Sequence, residues 1–401
     1  AEDARSVCEV SPEEEKALAS PQRPIVLLRK KASAHLAPGL ADGLPELGVM
    51  LPCTPVQHLL IHDFACALER AGVPEPPMLV MTSGNLHDEP IVTDDAEAVE
   101  KLGNIADAIV GNDRAILSRY DDSVVRLVRA GSAGPAVQVI RRARGFAPVP
   151  LQVPNGFAPG DAPQAPLASR RAPALLAVGP EQKNTLTFVR GSDAFVSQHV
   201  GDLENADTFD AWLQAASRIE SLFEVRPAAL ACDAHPEYIS SKWACEQAKS
   251  AGYPLLEVQH HHAHIASVLG EHGIDGAVCG VAFDGTGFGA DGSIWGGEVL
   301  IANQQAFERF ANFAYVPMPG GAAAVKNPLR MAYGVLWEFV LLDHPAAQDA
   351  LARLGNQAAL CDQMIEKGLN TPVTSSVGRL FDAASALLGV CEQPTYEGEA
   401  A

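Results

Sequence analysis

The order of apolar segments after residue 173 constrains the fold of this 401-residue chain more than any other feature. Three short strand-like runs come first: "ALLAVG", "NTLTFVRG" and "DAFVSQHV". A helical pattern, "TFDAWLQAASRIESLFE", gives way to strand "AALACDA", helix "EYISSKWACEQAKSAG", strand "LLEVQ" and a histidine-rich helix. A second strand group opens with "GAVCGVAFDGTGFG" and "SIWGGEVLIAN". Apolar strands that alternate with helices need those helices to cover the sheet, so the class is α/β. The chain before residue 147 alternates too. Strands are expected at "RPIVLLRK" and "PPMLVMTSG", helices at "PVQHLLIHDFACALERAG" and "DDAEAVEKLGN", and a late strand pair at "DDSVVRLV" and "AVQVIRRA". The first helix closes on Gly72 and the second starts with acidic residues, as helix ends prefer.

Seven prolines fall within the 27 residues from Ala147 to Pro173. Proline offers no N–H to a ladder or a helix. Residues 151–173 therefore read as a linker between a domain at 1–150 and another at 174–401. With 47% hydrophobic and 19% charged residues the chain is globular. Its net charge of −20 repels phosphate backbones, which argues against a nucleic-acid partner. Small anions remain open to it through backbone N–H groups at helix starts. No apolar run is long enough to span a bilayer, and the acidic N-terminus lacks the pattern of a signal peptide, so a cytoplasmic protein without a membrane partner is expected. None of the eight cysteines forms a CxxC pair, and most lie in apolar runs, which points to buried free thiols.

His260, His261, His262 and His264 stand within five positions of a chain that has twelve histidines. On a helix His260 and His264 share one face, one turn apart, and two such imidazoles can grip a transition metal. The competing reading is a polar helix start. A zinc peptidase is disfavoured, because no Glu follows the first His of the pair. The next strand ends at Asp284 and is followed by Gly285, Gly287 and Gly289, where backbone N–H groups can approach phosphate oxygens. Asp284 is a candidate third metal ligand. Gly296 and Gly297, beside Glu298, offer a second close approach. Lys183 and Asn184 lie in the turn "AVGPEQKNTLTF" as candidate phosphate contacts. Asp382 in "TSSVGRLFDAASALLG" is a candidate ribose contact. The plain alternatives are a DG hairpin turn for the stretch from Asp284 and helix capping by Ser375 or Ser376 for the stretch that holds Asp382.

The segments "VQHHHAHIA", "FDGTGFGADGSIWGGE", "MPGGAAAVKNPLRMA" and "TSSVGRLFDA" resemble, in order and spacing, the C-terminal domain of the HypF family of hydrogenase-maturation carbamoyltransferases. "ELGVMLPCTPVQHLL", "MTSGNLHDEPI", "RYDDSVVRLV" and "VIRRARGFAP" resemble the family's YrdC-like domain. The resemblance implies a YrdC-like α/β domain followed by an actin-like, ribonuclease-H-like ATP-binding domain of the ASKHA type. It also implies that both are incomplete here, the first at its N-terminus and the second at its C-terminus, with the last metal ligand beyond the chain.

By resemblance, Ser83 and Asn85 are adenylate-pocket residues, and Arg142 and Arg144 meet phosphate or carbamoyl phosphate. The implied cofactors are ATP, Mg2+ and one transition metal, zinc or iron. The implied reaction activates carbamoyl phosphate with ATP as a carbamoyl adenylate. Carbamoyl then passes to the C-terminal cysteine of HypE, for the cyanide ligand of [NiFe] hydrogenase. Two other readings stay open: a tRNA threonylcarbamoyladenosine-type transferase, and an inactive fragment that only docks HypE.

Overall fold

A computed structural model describes residues 2–86, 89–129, 131, 134–157, 171–396 and 398–400. Most of the expected linker, residues 158–170, lies outside the described residues, as do His87 and Asp88 of "MTSGNLHDEPI". The chain divides into two compact units. The first combines Ala1–Leu230 with Lys242–Leu255, and the second combines Ala231–Ser241 with Leu256–Ala401.

In the first unit α1 (Ala4–Val7) and α2 (Pro12–Ala19) precede β1 (Ile25–Arg29) and β2 (Glu46–Val49). After α3 (Pro55–Ala71) and α4 (Asp95–Leu102) come β3 (Val124–Arg129) and β4 (Pro135–Arg141). The strand order is β2-β1-β3-β4, with β1 parallel to β3 and the other pairs antiparallel. Val26 and Leu28, two apart, share one face of β1 and pack with Val7, Cys8, Leu18 and Val125. Thr54 and Gln57 form a capping box at the start of α3, and Gly72 takes the left-handed conformation after it. "PPMLVMTSG" is not a strand. It joins no ladder, and Val80 and Met81 are exposed, because an apolar run becomes a strand only where a partner edge receives its backbone.

A second sheet is built from β5 (Leu151–Phe157), β6 (Ala172–Ala177), β7 (Thr187–Val196), β8 (Val225–Asp233) and β9 (Leu255–Val258), in the order β5-β7-β6-β8-β9. Two of the expected short strands lie in and around β7. The chain folds back near Gly191 (φ 57°), so that Ser197 N–H donates to the Leu186 carbonyl (2.8 Å) and Val200 N–H to that of Asn184 (2.9 Å). Helix α5 (Ala206–Leu222) buries Trp212, Ala215, Ala216 and Ile219, a helical stripe, and α6 (Ile239–Ala251) joins β8 to β9.

The second unit holds α7 (His260–His272), β10 (Val278–Phe288), β11 (Ile294–Ala302), β12 (Phe307–Asn312), β13 (Val316–Pro317), α8 (Ala322–Lys326), α9 (Pro328–Glu338), α10 (Gln348–Leu354), α11 (Gln357–Lys367), β14 (Val373–Thr374) and α12 (Val377–Leu388). Its sheet runs β10-β11-β14-β13, with β12 on β11. Met318, Met331, Ala332, Leu354, Cys361, Ala383 and Ala386 form the main core. Ile265 and Leu269 of α7 pack on Ala282 and Leu300. The β10–β11 register breaks between Phe283 and Gly287, which releases residues 284–286 from the ladder.

All eight cysteines are free, but only Cys8, Cys232 and Cys361 are buried. Cys279 is exposed because β10 alternates and that position faces outward.

Candidate metal centre

Helix α7 begins at the cluster itself. Gln259 is its N-cap, accepting from His262 N–H (3.0 Å), so His260 is the first helical residue and His264 stands one turn on. His260 Nε2 lies 3.2 Å from His264 Nε2 and 3.1 Å from Asp284 Oδ2, and His264 Nε2 lies 3.9 Å from the same oxygen. Ligands ~2.1 Å from a tetrahedral ion sit roughly 3.4 Å from one another, so these separations suit one cation. Asp284 keeps Oδ2 for it, since Oδ1 accepts from Gly285 N–H (2.6 Å).

Asp233, at the end of β8, accepts from His260 Nδ1 at 2.7 Å. That bond fixes the ring and turns Nε2 toward Asp284, the arrangement of a carboxylate–histidine–metal triad in which a cation would replace the Nε2 proton. Asp233 is itself held by His235 N–H (2.8 Å). Burial opposes charge on His260, but the hydrogen bonds and charges of Asp233 and Asp284 outweigh it and lift the group to about 9. Burial, with the His260 charge, lowers His261 to about 4 and also lowers His264. Asp284 falls to about 2: burial would raise it, and the His260 imidazole dominates.

The release of residues 284–286 is braced from α12. Ser376 caps that helix by accepting from Arg379 N–H (3.2 Å), and its hydroxyl faces the carbonyls of Asp284 (2.6 Å) and Gly285 (2.8 Å). Gly285 is open, with nothing within 4 Å of a Cβ placed there. At Gly287 a Cβ would sit 2.3 Å from the His261 ring. Gly287→Ala is therefore expected to lower stability by about 1–3 kcal/mol in urea unfolding, whereas Gly285→Ala leaves it within about 0.5 kcal/mol.

Four sequence candidates sit differently from expectation. Gly296 and Gly297 direct their N–H groups at Glu298 Oε1 (3.2 and 3.3 Å) rather than at open space. Asn184 is buried, and its amide donates to the carbonyls of Val178 (3.0 Å) and Pro180, so it ties its own hairpin. Asp382 is buried against Arg379 at 2.7 Å, and burial raises its carboxyl.

The other candidates belong to the first unit, where a cleft of about 370 Å³ is lined by Ser83, Asn85, Arg119, Arg141, Lys183 and Arg218, among others. Ser83, Asn85 and Lys183 thus meet in one place. Arg142 and Arg144 do not reach it. Arg142 donates to the carbonyls of Phe146 (3.0 Å) and Val149 (2.7 Å), and Arg144 to Asp122 (2.6 Å) and the Arg23 carbonyl (3.0 Å). Arg141, the last residue of β4, lines the cleft instead. The sequence reading missed Asp233, although as an Asp at a strand end it carries the signal that singled out Asp284. It also missed Arg119 and Arg141, which stand in the segments "RYDDSVVRLV" and "VIRRARGFAP" but were not singled out there, and Arg218, which no motif marks.

Residues 280–401 match the family described as "Carbamoyltransferase, Kae1-like Domain, second subdomain", residues 170–271 the "HypF Kae1-like domain", and residues 1–143 the Sua5/YciO/YrdC family described as "Telomere recombination". Carbamoyltransferase HypF2 of Cupriavidus necator is 44% identical over 390 residues, 96% of this chain and 46% of the relative. Carbamoyltransferase HypF of Rhodobacter capsulatus is 41% identical over all of this chain and 50% of its own length. The chain belongs to the HypF family. It spans about half the length of the HypF relatives it matches. A full-length HypF crystallised in phosphate- and nucleotide-bound form superposes with a TM-score of 0.83 at 40% identity, over 100% of this chain and 57% of that one. HypF of T. kodakarensis gives 0.82 at 35% identity, over 100% and 49%. The α/β architecture, with a YrdC-like part before Kae1-like parts, is that of the HypF family.

Proposed function

We propose that this chain carries the carbamoyl-activating and carbamoyl-transferring parts of a HypF carbamoyltransferase, working in the cytoplasm. In this reading residues 1–150 form the YrdC-like domain and 174–401 the transferase domain; the expected linker at 151–173 is corrected at both ends, since Leu151–Phe157 pairs with β7 as β5 and Ala172 already begins β6. Water hydrolyses carbamoyl phosphate to carbamate and inorganic phosphate; a carbamate oxygen then attacks the α-phosphorus of ATP, held with Mg2+, and displaces pyrophosphate. The C-terminal cysteine thiolate of HypE then attacks the carbamoyl carbon, AMP leaves, and a thiocarbamate remains for cyanide-ligand synthesis. Arg119, Arg141, Lys183 and Arg218 outnumber Glu89, Asp121 and Asp202 along the first-unit cleft and supply its positive charge for anionic substrates, and Ser83 offers a hydroxyl there.

In the second unit His260 and His264 with Asp284 would hold zinc or iron, and Asp233 orients the first imidazole. A bound cation of this kind neutralises phosphate charge as AMP departs. Gly285 leaves its backbone accessible to a phosphate oxygen.

The observation that carries the reading is this imidazole–carboxylate triangle in a chain 44% identical to a carbamoyltransferase HypF2. ATP–pyrophosphate exchange by the purified chain should depend on carbamoyl phosphate. Arg141→Ala should weaken it about 10–100-fold, the worth of one charge-assisted hydrogen bond. Exchange driven instead by threonine and bicarbonate would move the assignment to the tRNA-modifying class. Binding of HypE with no exchange under either condition would leave only a docking role.

A further inference from the structure

The second imidazole of the cluster, His261, has no part in the reading above, yet it is fully buried against the candidate centre. Its Nδ1 lies 3.1 Å from Gln259 Nε2, and its Nε2 is buried without a hydrogen-bond partner among the described residues. The carboxylate oxygen it faces is Asp284 Oδ2, 3.8 Å away.

The orientation of the Gln259 amide decides where the His261 proton is. Gln259 Oε1 accepts from the backbone N–H of His262 (3.0 Å), a group that can only donate. Its Nε2 therefore carries both amide hydrogens, one toward the Phe288 carbonyl (3.0 Å) and the other toward His261 Nδ1. Nδ1 must then accept, and a neutral imidazole holds its one proton on Nε2. A third imidazole ligand would need Nε2 bare and a proton on Nδ1, which would set donor against donor at Gln259.

We infer that His261 is a positioning residue of the metal centre rather than a ligand: Gln259 keeps its proton on Nε2, and from there the ring donates to Asp284 Oδ2. The separation exceeds a hydrogen bond, and closing it takes a shift of about 0.7 Å. Gly287 lets the ring approach, since any Cβ there would strike its Cε1 and Nε2. Asp284 is thereby oriented by His261 as His260 is by Asp233. The inference rests on the reading of His260, His264 and Asp284 as ligands, whereas the proton position does not.

Long-range proton–nitrogen correlation on the metal-free, histidine-labelled chain reads the proton directly, with the His261 signals assigned by their loss in His261→Gln. A neutral ring protonated on Nε2 is expected, and protonation on Nδ1 overturns the inference. Zinc titration against a chromophoric chelator gives the second readout. His261→Phe should keep one zinc equivalent but weaken it about 10–100-fold. His261→Gln, whose amide can donate from near the same place, should recover most of that loss. Gln259→Glu, which replaces the donor to Nδ1 by an acceptor, should weaken zinc as His261→Phe does. Phe binding zinc as tightly as wild type, Gln no better than Phe, or loss of the whole equivalent in Gln would each overturn the proposal. Where His261→Phe fails to fold, the glutamine variant and the wild-type spectrum still decide. A wild-type chain that binds no zinc sinks the ligand assignment instead, leaving the proton position to be read on its own.

Discussion

Replacing Glu298 by glutamine is expected to lower the melting transition by ~2–12 °C, corresponding to a loss of about 1–3 kcal/mol. Glu298 is fully buried on β11, and donors surround it. Oε1 accepts from Gly296 N–H, Gly297 N–H and the Ser375 hydroxyl, and Oε2 from Arg309 Nε at 2.7 Å. Arg309 is pinned in turn by its stack on Trp295 (3.8 Å) and by Tyr315 Oη (2.8 Å). A glutamine can serve one set of donors with its carbonyl, but its NH2 must then face the other set. A donor–donor contact would result on one side of the amide, and Arg309 would keep only Asp291 (3.4 Å) as its carboxylate partner, so the cost lies mainly in a buried donor left unsatisfied.

The pH dependence has a definite sign. Burial alone would raise the Glu298 carboxyl, but the bonds from Arg309, Ser375 and Gly296 hold it below its ordinary 4.5. A carboxyl depressed on folding contributes stability that is complete above the unfolded value and is lost as pH falls through the folded one. The gap between wild type and Glu298→Gln should therefore be full at neutral pH and narrow below about 4.5. A gap that widens toward acid, or a variant that melts with wild type, would show that the carboxylate does not hold this hairpin.

The elements that could be read from the chain are those whose signals are local. Gly72 closes α3, Asp94 caps α4 and the stripe around Trp212 forms α5, each set by residues within a turn or two. "PPMLVMTSG" was expected as a strand because of its apolar run, but its fate rests on whether a neighbouring edge pairs with it, which a single segment does not encode. The same divide runs through the site. The four-residue spacing of His260 and His264 was legible because a helix guarantees a shared face. Asp284 was legible as a strand-end acid before glycines. That Asn184 would turn inward to its own hairpin, or that Glu298 would claim the N–H groups of Gly296 and Gly297, depends on contacts between segments far apart in sequence. Arg141 ends β4 and lines the cleft, whereas Arg142, the first residue past the strand, is bonded to the Phe146 and Val149 carbonyls of the loop that follows.

The double variant His260→Ala, His264→Ala is expected to take bound transition metal from one equivalent to none, measured by elemental analysis of the purified chain. The two Nε2 atoms stand 3.2 Å apart on consecutive turns of α7, and Asp284 Oδ2 lies within 4 Å of both. A lone carboxylate left by the double change has too few donors to compete with water for zinc or iron. Asp233→Asn separates ligation from mere proximity. It leaves all three donor atoms in place but turns the acceptor of His260 Nδ1–H into an amide that can present its NH2 to the ring, which weakens the orientation and basicity of Nε2. That variant should keep one equivalent with affinity reduced about 10–100-fold. The graded order, wild type above Asp233→Asn above the double variant, follows from a triad in which Asp233 acts only through His260. Metal content unchanged in the double variant would remove the centre from α7 altogether. Asp233→Asn as empty as the double variant would instead make Asp233 a ligand in its own right.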